Sequence, residues 1–196
     1  MGNIITAYFR DVDMVDELVD IFDENNNPLG IQESKNKALA KGLWHRGAHI
    51  WIYNSSGEIL MQLRAKEKIL SPDKWDISAA GHTGAGEDVV SSALREVKEE
   101  IGLRLKEDDL DFWKVKKHKG SFGSFKNNVF YYIYFFKFDG DVGRLKLQKD
   151  EVQKVKFIPI KKLQEDLKLR PEKYVYEDHW DATIKEVQKR INSGGE

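Results

Sequence analysis

Residues 81–103 read GHTGAGEDVVSSALREVKEEIGL, and the fold turns on how the acids in this stretch are read. Glu96, Glu99 and Glu100 fall close together beside Arg95. At about 100° per residue, Val90, Ala93, Leu94, Val97 and Ile101 gather on one face, which predicts an amphipathic helix from about Asp88 to Ile101 with that face in the core. The glutamates leave from a neighbouring face at spacings of three and four, where like charges weaken a helix unless something positive sits between them. A divalent metal ion would supply that charge. Alone, such a run is more often a solvated acidic face than a site. Its flanks argue for more: Gly81, Gly84 and Gly86 permit close backbone approach before the helix, and Gly102 stands where a left-handed cap belongs.

Working outward, "LVDIFDENNNPLGI" predicts a hairpin about an Asn- and Pro-rich turn, and "AHIWIYNSSGEILMQLRA" predicts a second and clearer one about a Ser-Ser-Gly turn. A polar connection separates them, and a loop runs through Pro72 and Trp75 toward the glycines. Strands are expected near 111–117, 128–138 and 151–158, and helices near 160–169 and over the last twenty or so residues. Strands and helices alternate without a repeat or a linker, so one α/β domain is expected. Its parts are an N-terminal extension over 1–17, a main body over 18–170, and a C-terminal helix within 171–196 that belongs to the same domain.

Composition limits the function classes. The chain has 196 residues, 40% of them hydrophobic, enough for one sizeable core. Lys and Arg number 32 against 33 Asp and Glu, so net charge offers nothing to a nucleic-acid polymer or a membrane surface. Cysteine is absent, which removes disulfides, thiolate metal sites and cysteine nucleophiles and points to a reducing cytoplasm. No apolar run approaches the roughly 20 residues that span a bilayer.

Gly81, Glu87, Arg95, Glu96, Val97, Glu99, Glu100, Gly102 and Leu103 stand in one fixed frame: Gly, five residues, Glu, seven residues, then Arg-Glu-apolar-any-Glu-Glu-any-Gly-apolar. That frame resembles the Nudix box at every constrained position. The resemblance implies an α/β/α sandwich with a mixed central sheet and the box helix packed against it. It also implies an enzyme that cleaves a small-molecule diphosphate, typically a nucleoside diphosphate derivative, and it leaves a homodimer open. Carried over by position, Glu96, Glu99 and Glu100 bind Mg²⁺ or Mn²⁺, the Gly81 carbonyl adds a ligand, Arg95 orients the carboxylates, and Glu87 supports them.

The chemistry accounts for those residue types. A diphosphate repels nucleophiles with its own negative oxygens, so hard oxygen ligands hold cations that neutralise it and activate a water. Two carboxylates compete for the water's proton: Glu96, and Glu151 in "KDEVQKVKFIPI". Glu151 reads equally as a charge at a strand edge.

The run from Gly42 to Glu87 is similar to the branch of the superfamily that includes type 1 isopentenyl-diphosphate isomerase. The isomerase has a cysteine directly before Gly-His, where this chain has Ala80. It also has a pair of metal-binding glutamates before a later strand, which align with Lys126 and Asn128. A methyl group cannot protonate an alkene, and Lys126 would repel a metal, so hydrolysis is the stronger expectation. His45 and His82 match isomerase positions at or near its metal, although an isolated histidine is more often a hydrogen-bonded structural group.

Substrate signals are thinner. Trp75, Phe122, Phe125 and Tyr131 suit stacking on a base, though aromatics in a strand-rich domain also build cores. Arg64, Lys66, Lys68 and Lys126 suit phosphates, though each reads also as a surface charge. A Nudix module that binds a nucleotide without turnover is the remaining alternative.

Overall fold

Strand β3 (His45–Tyr53) organises the molecule. Its side chains alternate, as the period of a strand requires, so Ala48, Ile50 and Ile52 enter one core while Trp51 and Tyr53 enter another on the opposite face. In this computed structural model the described residues are 17–68, 70–123, 125–175 and 178–193, without the side chain of Phe122. The N-terminal extension expected over 1–17 therefore lies outside them except for Glu17, as does the Phe122 side chain.

The chain opens with the expected hairpin, β1 (Leu18–Phe22) against β2 (Pro28–Ser34). A short helix α1 (Lys35–Lys41) follows, capped by the Ser34 hydroxyl and ended by Gly42 at φ 67°. Seven residues carry too little periodicity to stand out, which is why this stretch reads as a polar connection in the sequence. The second hairpin departs from expectation: β3 and β4 (Glu58–Arg64) pair at Tyr53 and Ile59, beside their turn, and then diverge. Each strand finds other neighbours.

β3 pairs in parallel with β8 (Phe125–Lys137) and antiparallel with β6 (Ala79–His82), whereas β4 pairs with β9 (Val152–Pro159) and β5 (Trp75–Asp76). β7 (Asp111–Phe122) closes a long hairpin with β8, extending the expected strand by several residues. The seven strands form one mixed sheet.

Helix α2 (Val89–Ile101) covers one face through Val89, Ala93, Val97 and Ile101, which pack on Ile50, Ile52 and Leu60. Asp88 caps its start by accepting from Ser91 N, and Gly102 ends it at φ 76°. A side chain at 102 would also strike the Lys146 backbone at 2.8 Å, so glycine is required there twice over. Helices α3 (Ile160–Leu169) and α4 (Trp180–Ser193) cover the other face, placing Leu163, Trp180, Ile184 and Val187 against Trp51 and Phe135. Burying side chains of this size contributes about 1.5–3 kcal/mol each. Two helical layers about a mixed sheet form the expected α/β/α sandwich. Among the described residues no helix is long and apolar enough to cross a membrane.

Candidate functional site

The acids of α2 do not share one surroundings. Glu100 is buried at 7% exposure among core residues, and its Oε2 accepts from Gln62 Nε2 at 3.0 Å and from Ala80 N at 3.2 Å. Glu96 sits one turn earlier against β6: a Cβ built on Gly81 would fall 2.0 Å from its Oε1. Glu99 is half exposed. The helix therefore presents a buried, a partly buried and an open carboxyl.

Arg95 ties the outer part together. Its Nη1 donates to Glu96 Oε1 at 2.7 Å and to Glu99 Oε2 at 3.2 Å. On the other side Nε donates to Glu87 Oε1 at 3.2 Å, and Nη2 donates to Glu87 Oε2 at 3.1 Å and to the His82 carbonyl at 3.2 Å. Glu87 is held in turn by Gly84 N and the Ser92 hydroxyl. A guanidinium gripped along one edge by a carboxylate is fixed in plane and direction. Part of the positive charge that the glutamates need is thus Arg95, a partner drawn from the motif itself.

Burial pushes the Glu100 carboxyl up to about 8, with the nearby charge of Glu96 adding to the effect. It pushes Glu96 up to about 7, against the opposing pull of Arg95. Burial raises Glu87 as well, but hydrogen bonds from Arg95 and Ser92 outweigh it and hold that carboxyl below its ordinary range. Glu100 receives only neutral amide donors. Two neighbouring carboxyls, one buried and one partly buried, with a backbone carbonyl close by, are hard oxygen donors of the kind that suit Mg²⁺ or Mn²⁺. That donor chemistry fits a divalent cation. In the conformation seen, no three His, Asp or Glu side chains among the described residues converge as a metal site, and Arg95 bridges Glu96 and Glu99.

The remaining candidates are more dispersed. Glu151 forms an ion pair with Lys68 and, on the turn before β9, its carbonyl accepts from Ala65 N. Arg64 is spent on Asp76 at 2.9 Å and on the Leu70 carbonyl. Trp75 packs on the α4-side core, with Lys156 Nζ 4.4 Å from its ring centre. Tyr131 stacks on His49 at 3.7 Å. Lys66 and Lys126 are exposed.

His45 and His82 lie together with ring centres 5.0 Å apart. Nδ1 of His45 donates to the Leu43 carbonyl, and Nε2 of each ring is buried without a partner among the described residues. Burial favours the neutral form of both rings, most strongly at His82. Asn128 stands nearby on β8, and its amide donates to the Gly42 carbonyl at 2.7 Å.

Two contributors escaped the sequence reading. Gln62 carries no motif, and only its place on β4 opposite Asp76 aims it at Glu100. Gly47 is an unremarkable glycine in a strand, yet a Cβ there would sit 2.9 Å from the Gly81 carbonyl. A glycine interrupting a strong strand is the one signal that could have marked it.

A family model described as NUDIX domain matches residues 43–179. Nudix hydrolase 3 of Arabidopsis thaliana is 31% identical over 167 residues, which cover 83% of this chain and 22% of that protein. Isopentenyl-diphosphate Delta-isomerase of Pectobacterium atrosepticum is 39% identical over 84 residues, 43% of this chain and 46% of that enzyme. The chain thus spans less than half the length of either relative. The solved structure of DR0079 from Deinococcus radiodurans matches with a TM-score of 0.63 at 16% identity, covering 88% of this chain and 98% of that one, a likeness of fold. With the family matched over more than half its length, from the approach to β3 as far as the entry to α4, the chain belongs to the Nudix hydrolase superfamily, in the branch that resembles isopentenyl-diphosphate isomerase.

Proposed function

We propose that the chain is a divalent-cation-dependent pyrophosphohydrolase that cleaves the diphosphate of a small molecule such as a nucleoside diphosphate derivative, in the cytoplasm. The observation that carries this reading is the pair Glu96 and Glu100: Glu96 is partly buried against Gly81, and Glu100 is buried with only neutral donors. Glu96, Glu99, Glu100 and the Gly81 carbonyl would hold Mg²⁺ or Mn²⁺. When bound, the cation supplies charge neutralisation at the diphosphate oxygens and acidifies a water.

The chain's own residues do the rest. Arg95, anchored on Glu87, orients Glu96 and yields its hold on Glu99. Gln62 and Ala80 N fix one oxygen of Glu100, which leaves the other for a ligand. Glu96 is one acceptor for the water's proton. Glu151, paired with Lys68, is the alternative acceptor. The strands and helices from Leu18 to Ser193 form the catalytic domain, with α4 an integral part of it.

The isomerase reading is weaker for a local reason. Ala80 offers no proton, Asn128 spends its amide on Gly42, and His45 and His82 join no cluster of three or more His, Asp or Glu side chains among the described residues. A phosphate-release screen with Mg²⁺, Mn²⁺ or chelator divides the readings, run over nucleoside di- and triphosphates, nucleotide sugars, dinucleoside polyphosphates and prenyl diphosphates. Metal-dependent release from any of these supports hydrolysis. Silence across the panel with both metals favours a nucleotide-binding module, and dimethylallyl diphosphate formed from isopentenyl diphosphate favours the isomerase.

A further inference from the structure

Strand β1 lies outside the residues that match the family, yet it is stitched to the loop that leads into α2. The Leu18 carbonyl accepts from Ala85 N at 2.8 Å, Val19 bridges Gly84, and Asp20 Oδ2 accepts from Gly86 N at 2.8 Å. That register carries Glu17 to the site. Its Oε1 is 3.9 Å from Arg95 Nη2, and its Oε2 is 3.1 Å from Lys35 Nζ. A Cβ on Gly84 would meet Glu87 Oε2 at 3.3 Å and Glu17 Oε1 at 4.0 Å, so the two carboxylates flank Gly84. Both lie toward the same nitrogen of Arg95.

We propose that Glu17 is a positioning residue of the diphosphate site, which acts with Glu87 to hold the Nη2 side of Arg95 while Nη1 reaches Glu96 and Glu99. The pair is partly exposed and longer than a hydrogen bond, so its contribution to stability is small. Its effect is directional. Glu87 grips one edge of the guanidinium, and Glu17 adds negative charge on the same side. A cation that competes for Glu96 and Glu99 then leaves Arg95 a place to remain. The β1–β2 hairpin is by this argument part of the working site. The kinetic consequence rests on the hydrolase reading, whereas the hold on Arg95 does not.

The test compares Glu17→Gln with Lys35→Met, which removes the other partner of Glu17 but leaves its carboxylate facing Arg95. Exchange of the Arg95 Nε proton is followed by NMR in chelator, Mn²⁺ affinity by electron paramagnetic resonance, and kcat and KM on a substrate found in the screen. Outer residues that orient a metal site alter affinity or activity by about 10-fold or more. Glu17→Gln should therefore speed Arg95 exchange, weaken Mn²⁺ about 10-fold and lower kcat by a similar factor with KM kept. Lys35→Met should stay near wild type in all of these. Unchanged Arg95 exchange in Glu17→Gln, or the same changes in Lys35→Met, overturns the proposal and makes Glu17 a hairpin anchor. If wild type binds no Mn²⁺ or turns over nothing, the hydrolase reading fails, and Arg95 exchange still decides the role of Glu17.

Discussion

The carboxyl of Glu96 occupies the space that any side chain on Gly81 would need, with Oε1 2.0 Å from the position of a Cβ. Gly81→Ala must therefore push Glu96 out of its place. Overpacking of this kind costs about 1–3 kcal/mol, so the variant should fold with a lowered Tm. The stabilisation that Mg²⁺ gives wild type should shrink or vanish with it. Thermal melts in Mg²⁺ and in chelator measure both, and an undiminished Mg²⁺ effect would separate Glu96 from the cation.

Glu100→Gln should have the opposite effect on the metal-free protein. The folded carboxyl keeps its proton to about pH 8 against an ordinary value of 4.5. The folded state thus binds more protons than the unfolded one between those values, and this group's contribution to stability falls as pH rises through them. Glutamine removes that slope, so in chelator the variant should equal wild type near pH 4.5 and exceed it increasingly as pH rises toward 8. Mg²⁺ at a hundred times its dissociation constant stabilises a binding protein by about 2.7 kcal/mol, and the variant should lose most of that gain. A variant that melts well below wild type in chelator at every pH would make Glu100 a structural acid, contrary to the metal reading.

Isomerase chemistry should stay absent even after its missing thiol is restored. Ala80→Cys supplies a proton donor, but Asn128 remains bound to Gly42 and Lys126 remains a cation. Incubation of wild type and variant with isopentenyl diphosphate should yield no dimethylallyl diphosphate by mass spectrometry. Product at enzyme-like rates from either protein would return the chain to the isomerase class.

Acid should unfold the protein through His49 and His179. Nδ1 of His49 lies 3.4 Å from Nε2 of His179, and burial holds both rings neutral, His179 down to about 4. Asp178 favours the charged form of His179, whereas Lys116 and His118 oppose it. The unfolded rings take up protons near 6.5, so their contribution is complete above that pH and is lost as pH falls from 6.5 toward 4. Each adds a slope of up to about 1.4 kcal/mol per pH unit. Denaturant melts over that range should show a shallower slope for His49→Gln than for wild type.

The helix of the acids was legible from residue spacing because the rules involved are local. Asp88 and Gly102 bound it, and one apolar face fills the core beneath it. What the sequence concealed depends on distant partners. Gln62 meets Glu100, Glu17 meets Arg95, and Gly47 makes room for the Gly81 carbonyl only after the sheet is assembled. The Asn54–Gly57 turn misled for a related reason. A tight turn predicts a hairpin, and the chain makes the turn, but β3 gains more by pairing with β6 and β8 than by following β4. Arg95 was placed among the acids from the start, and its five hydrogen bonds emerge only in three dimensions.

The parallel pairing of β3 with β8 also governs how the molecule is made. His45 lies against Val129, and everything between them, from β4 through β7 and including all of α2, is the loop that this pairing closes. Joining chain segments so far apart is entropically costly and slow. The acidic helix can form on its own timescale, but Gln62, Gly47 and Glu17 reach it only once the sheet has closed. A nascent or partly folded chain therefore carries the motif without its supports, and recovery of tight cation binding during refolding should lag behind the recovery of helix.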